Sequence, residues 1–285
     1  MHTPSPRHPV SFPTGTLPSV RAIALSRPLH WLLLGWRDML HCGWISYAHG
    51  LVLALVGAAM LVVGHNRFWL LAGAFSGFLV LAPVLATSLY ALSRARERGE
   101  KADASVVLKT WLNWQDNHFN KWGNDYWCLV QFGSLLALAG TGWVITSAAL
   151  ITLLAPLPIT TPLEFIEHVV LASNGFLFEL WLVLGGMLAA PIFASTAIAM
   201  PLLLDRRLTL MQAVYTSWYA VLANPLTMAL WAALIMGLTL LGLGAALLGL
   251  VVVIPLLGHA SWHAYRDLVD ASNLPQRDAR ETESR

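Results

Sequence analysis

The sequence reads GHASWHAYRD over residues 258–267, directly after the apolar run LLGLVVVIPLL. His259 and His263 stand four residues apart and Asp267 four further on, so a helix would set all three along one line. Neutral imidazole is the commonest side-chain ligand of transition metals, and a carboxylate can complete or orient such a set. His49, near the start of the first long apolar stretch, would add a third histidine if the helices close into a ring. On that reading His259, His263, Asp267 and His49 hold a haem or a transition metal. On the competing reading His263 and Asp267 pair with each other at the membrane interface, while Trp262 and Arg266 anchor the helix end. HASWH lacks the glutamate of HExxH, so zinc hydrolase chemistry has no support. The expectation is therefore an interfacial helix end with no cofactor.

Other candidates are fewer. Glu179 lies inside an apolar run near its outer end, where a carboxylate could serve an ion site or simply reach water. Glu164 and His168 are spaced i, i+4 on a short amphipathic stretch, as many surface pairs are. Gly73 and Gly77 form a GxxxG that permits close helix approach. The segment 242–249, GLGAALLG, follows no strand and is not a dinucleotide fingerprint. No phosphate loop, nucleophile elbow or nucleic-acid patch occurs, so nucleic acid is not an expected partner. Cys42 and Cys128 lie far apart and form neither a disulfide framework nor a zinc signature. The basic run RARERGEK, Arg94 to Lys101, reads as a cytoplasmic anchor that would touch anionic lipid.

The elements that must position these residues belong to a membrane. Of 285 residues 57% are hydrophobic and 11% charged, with thirteen tryptophans, and the mean hydropathy is +0.63. Soluble domains carry about 25% charged residues, which excludes that class. The first 20 residues hold five prolines and no apolar core of a signal peptide. Residues 1–25 and 271–285 are expected to be disordered cytoplasmic tails around one transmembrane domain, 26–270.

Spanning helices of about 20 apolar residues fit 44–64, 68–92, 127–155 and 174–203, while 225–268 is long enough for one bent helix or barely two. Glycines at 242, 244 and 249 would suit a turn there. Basic residues favour two: with six spans 16 of the 17 share one side, and with five the split is 12 to 5. The fold expected is all-α, six transmembrane helices in three hairpins (about 44–92, 127–203 and 225–268), both termini cytoplasmic. Each hairpin follows an aromatic amphipathic stretch, at 31–40, 108–117 and 213–224, that reads as an interfacial helix. The second helix of each carries a proline and then a similar run: PVLATSLYALSR, PIFASTAIAMPL and PLLGHASWHAYR. Such hairpins would be internal repeats about an axis along the membrane normal. Four residues past each proline stand Thr87, Ser195 and His259, polar groups that would line a shared interior; Glu179 is a further cavity-lining candidate.

The pieces GWRD (35–38), YAHGLVL (47–53), NPLTMALWA (224–232) and PLLGHASWHAYRDLV (255–269) resemble the DUF2189 family of bacterial membrane proteins, over roughly residues 20–270. The resemblance implies a multi-pass protein of the bacterial inner membrane and supplies no catalytic residues. Some members carry a cytochrome c oxidase label, but haem and copper need several histidines in separate spans, and these spans have almost none. Together these readings point to a non-enzymatic protein of the lipid bilayer, a small-solute or lipid transporter or a scaffold. The alternative is a redox-linked or assembly protein of a respiratory complex that binds haem or metal through the C-terminal histidine pair.

Overall fold

The computed structural model describes residues 17–64, 85–119, 127–172 and 176–277. The expected second span, its proline at 83 and the glycine pair at 73 and 77 fall largely or wholly outside these residues. Within them the fold is all-α. Arg27–Cys42 (α1) begins with Pro28 in its first turn, where the missing N–H costs nothing. Trp44–Gly64 (α2) follows after one residue, and Thr87–Glu97 (α3) and Ala104–Phe119 (α4) come next. Trp127–Leu154 (α5) leads to a short helix, Pro162–Phe165 (α6), that runs on as a π-turn over Ile166–Val170. Leu177–Thr196 (α7) and Ala199–Asp205 (α8) are two pieces of one path, and Leu210–Ala223 (α9) opens on a Thr209–Gln212 capping box. Pro225–Gly244 (α10) and Leu250–Leu268 (α11) complete the chain.

Among the described residues four stretches are long and apolar enough to cross a membrane: Trp44–Val62, Gln131–Leu154, Leu177–Asp205 and Pro225–Gly244. The helices α1, α4 and α9 each precede one of them, in the order read from the sequence. Residues 225–268 form two helices. The turn between them is made by Ala246 and Leu247, both at positive φ (52° and 68°), rather than by a glycine. Gly249 serves a different purpose, since a Cβ on it would lie 2.7 Å from the Gly242 Cα. Between α7 and α8 the path breaks after Pro191, and the freed Ile198 N–H donates to the buried Ser217 Oγ of α9 at 3.1 Å.

The core centres on α11, which packs against α1, α2, α3, α8 and α10. Trp31 of α1 meets Trp231 of α10 edge to face at 5.4 Å, and Trp262 meets Tyr265 at 5.3 Å. Two close approaches set the crossing of α11 with its neighbours. A Cβ on Gly35 would stand 2.7 Å from the Ala260 amide nitrogen, and one on Gly50 would collide with the backbone of Val251.

Residues next to both ends of the helical domain make defined contacts. Ser19–Val20 (β1) pairs antiparallel with Val269–Asp270 (β2), Ile23 N–H donates to Asn224 Oδ1 at 2.8 Å, and Arg207 N–H donates to Pro275 O at 3.0 Å. Residues 19–25 and 271–277 are therefore held, because backbone pairing and one buried asparagine answer their polar groups.

The glycine contacts give a direct test. Gly35→Val should lower the melting temperature in detergent sharply, by about 1–3 kcal/mol or more of overpacking against backbone. Gly237→Ala, where an added Cβ meets nothing within 4 Å, should be neutral or slightly stabilising. Scanning fluorimetry of the purified variants reads both.

Candidate functional site

One continuous polar cluster lies where α1, α2, α3 and α11 meet. The cause is local: α11 changes character after Pro255, from an apolar half to a half carrying His259, Trp262, His263, Tyr265, Arg266 and Asp267. These residues radiate around the helix, and all but His259 and His263 take partners of their own outside the cluster.

His259 is fully buried, and both its ring nitrogens are engaged: Nδ1 with Ser93 Oγ at 2.7 Å and Nε2 with Ser46 Oγ at 2.9 Å. The Ser93 hydroxyl donates to Asp38 Oδ2 at 2.7 Å. A hydroxyl has one hydrogen, so Ser93 Oγ must accept from His259 Nδ1–H. Nε2 is then the acceptor, and Ser46 donates to it. The directions run Ser46 to His259 to Ser93 to Asp38, a chain across α2, α11, α3 and α1. The Asp38 carboxylate also accepts from His263 Nε2 at 2.8 Å and pairs with Arg96 Nη1 at 3.2 Å. Burial pushes the Asp38 carboxyl up, but hydrogen bonds from His263 and Ser93 outweigh it and hold it below its ordinary value.

The other predicted residues are placed as follows. His49 donates through Nδ1 to Ile45 O and contacts Ser88 Oγ through Nε2, each at 2.7 Å, which ties α2 to α3 beside the cluster. Asp267 accepts from Arg27 Nε at 2.6 Å, Arg27 Nη2 at 2.8 Å and Trp31 Nε1 at 2.9 Å. His263 and Asp267 therefore do not pair with each other: α1 packs along α11 and supplies a separate partner to each. Thr87 is buried, and Ser195 accepts from Trp218 Nε1 at 2.9 Å on the wall of an apolar groove between α5, α7 and α9. Glu179 is far from all of these, at the opposite end of α7. Among the described residues no group of three or more His, Cys, Asp and Glu is arranged to hold a metal.

Sequence reasoning missed Ser46, Ser93, Asp38, Glu97 and Asp205. Glu97 accepts from Trp262 Nε1 at 2.9 Å and Arg266 Nε at 2.8 Å. Asp205 accepts from the Tyr265 hydroxyl at 2.8 Å and from Arg98 and Arg206. The available signal was positional: Asp38, Glu97 and Asp205 all stand at the basic ends of apolar runs.

Ser46, His259 and the Ser93–Asp38 pair reproduce the order of nucleophile, base and orienting group used in acyl transfer. Neither Ser46 nor His259 has any exposed surface, so no substrate carbonyl can reach the hydroxyl in this arrangement. What the cluster does is cross-link four helices.

Removing the charge should show this. Asp38→Asn should cost about 3 kcal/mol, because it strips a buried pair of one partner. Ser93→Ala should cost about 1–3 kcal/mol by leaving His259 Nδ1–H unanswered. A carboxyl depressed in the folded state binds its proton more tightly when unfolded. Its stabilisation is thus complete above the ordinary carboxylate value near 3.9 and is lost as pH falls through the lower folded value. The acid limb of the stability curve should be flatter in Asp38→Asn than in the parent, measured by scanning fluorimetry.

Residues 70–205 match the model of the DUF2189 family, described as a predicted integral membrane protein. The match lies between the pieces GWRD and YAHGLVL on one side and NPLTMALWA and GHASWHAYRD on the other, which carry the resemblance in the sequence. No curated protein and no solved structure matches the chain. With four helices fit to cross a bilayer among the described residues, the chain reads as an integral membrane protein, similar to the DUF2189 family over residues 70–205.

Proposed function

We propose that this protein is a non-enzymatic scaffold of the bacterial inner membrane, built of six spans in three repeated hairpins with both ends in the cytoplasm. The observation that carries the reading is closure of the polar cluster: both nitrogens of His259 and the Asp38 carboxylate are answered by other side chains of this chain. A transporter would need polar groups facing a water path, and an enzyme a reactive group facing a substrate; the buried serines and His259 serve packing instead. An even number of spans is supported by the pairing of Ser19–Val20 with Val269–Asp270, which brings the two ends of the membrane domain to one side. The same layer gathers Arg21, Arg27, Arg94, Arg96, Arg98, Arg206 and Arg266 in contacts with one another's elements, as the cytoplasmic face of such a protein should.

The test uses the protein purified in mild detergent. It should show no Soret band, no metal that is stoichiometric and lost in His259→Ala, and no labelling of Ser46 by a fluorophosphonate probe. A Soret band or His259-dependent metal would replace the scaffold with a redox-linked protein, and Ser46 labelling in the folded protein would replace it with a hydrolase. Reporters fused at residue 17 and at residue 277 should both give cytoplasmic signals; opposite signals would overturn the six-span reading.

A further inference from the structure

At the other end of α5 and α7 a cavity of about 180 Å³ opens between the end of α5, the π-turn and the start of α7. Its walls are largely apolar, with Leu154, Pro156, Val169 and Phe178, and the polar residues His168 and the exposed Glu179 also line it. For scale, a cavity of about 150 Å³ takes a benzene ring.

One wall residue, Phe178, is backed by packed rings. Phe178 stacks on Trp181 with ring centroids 6.4 Å apart, and Phe165 and Trp143 close on Trp181 at 5.6 Å each. Trp181 Nε1 donates to Ser147 Oγ at 2.6 Å, which sets its orientation. Ile166–Val170 carries His168 and Val169 on a π-turn, a local distortion that recurs at functional sites.

Along the segment that builds this cavity the formal charge has one sign. From Trp127 to Asp205 the sequence holds no lysine or arginine, while Glu164, Glu167 and Glu179 all lie at this end. Glu164 is already used, since it accepts from the Thr160 and Thr161 amides and the Thr160 hydroxyl. Glu179 has no hydrogen-bond or ion-pair partner among the described residues. A carboxylate at the rim of an apolar, aromatic-backed cavity, with no cation of its own, is complementary to an ammonium group on a small apolar body.

We propose that this cavity is a binding site for such an ammonium group, with Glu179 taking the charge and Phe178, Leu154, Pro156 and Val169 enclosing the apolar part. The ammonium could come from a free amine or from the headgroup of phosphatidylethanolamine. The proposal is independent of the scaffold reading, because it uses none of the residues of the buried cluster.

Benzylammonium is the probe, with benzyl alcohol as its neutral match, titrated into the detergent-solubilised full chain and followed by ligand-observed NMR. Benzylammonium should bind saturably and about ten-fold more tightly than benzyl alcohol, and Glu179→Gln should remove that difference. Glu179→Asp keeps the carboxylate and should retain most of the affinity, while unchanged melting temperatures show that both variants are folded. Equal binding of the two probes, or full affinity for benzylammonium in folded Glu179→Gln, would overturn the proposal. In nanodiscs, competition by phosphatidylethanolamine but not by phosphatidylglycerol assigns the group to a lipid headgroup; saturable binding unaffected by either lipid assigns it to a soluble amine.

Discussion

Asp38 is a carboxylate almost closed off from water on a helix that lies against four others. An ion so placed costs several kcal/mol after relaxation unless its lone pairs are answered. The answer comes from α3, through Ser93 and Arg96, and from α11, through His263. Because Ser93 donates its single hydrogen to Asp38, it can only accept from His259, and His259 can then only accept from Ser46. One charge thus sets the direction of hydrogen bonds across four helices. Any shift of α1 along α11 would break several of these bonds together, so the arrangement is specified more sharply than apolar packing alone would specify it.

Such short bonds require close backbones, and the glycines meet that need. Serine side chains reach only a few ångströms, so α2 must approach α11 closely for Ser46 to touch His259. Gly50 permits this one turn away, where it lies against Val251, and Gly35 does the same for α1 against Ala260. The apolar half of α11 and its polar half therefore depend on each other. Around the cluster, Asp267 with Arg27, Glu97 with Arg266 and Asp205 with Arg98 and Arg206 form an outer layer. The Asp267–Arg27 and Glu97–Arg266 pairs are more exposed and singly weaker, whereas Asp205 is as buried as Asp38 and ties Arg98 to the end of α8.

The membrane class, the order of amphipathic helix before span, and the importance of GHASWHAYRD were all legible in the sequence. Hydropathy and tryptophan placement depend only on which residues are present, and the order of elements only on where they stand. The partners of the histidines were not legible. His263 and Asp267 are four apart and invite an i, i+4 pair, yet each takes a hydrogen-bond partner on α1, and tertiary contact decides. Ser46 and Ser93 gave no signal, because a serine in an apolar helix most often bonds its own backbone. The turn between α10 and α11 fell where the glycines suggested, but Ala246 and Leu247 take the left-handed conformation. The glycines there are used for contact between the two helices.

The helix α11 also shows why composition can mislead about which helices are central. It carries two histidines, an arginine and an aspartate in 19 residues, and by hydropathy it is a poor candidate for a span. Polar groups are intolerable only where lipid must surround them. Here polar groups of α1, α2 and α3 supply the surroundings, so the polar half of the central helix meets side chains rather than lipid. The neighbours show the complementary pattern. On α1 the aliphatic and aromatic Leu29, Leu33, Trp36 and Leu40 are exposed while Asp38 is buried, and on α9 Met211, Tyr215, Trp218, Tyr219 and Leu222 form an exposed stripe. An amphipathic helix at a membrane surface ordinarily turns its polar face to water. In α1 the charged Asp38 turns instead toward α11, and the apolar side chains are left exposed. The buried polar cluster and the outward apolar faces are two consequences of the same arrangement.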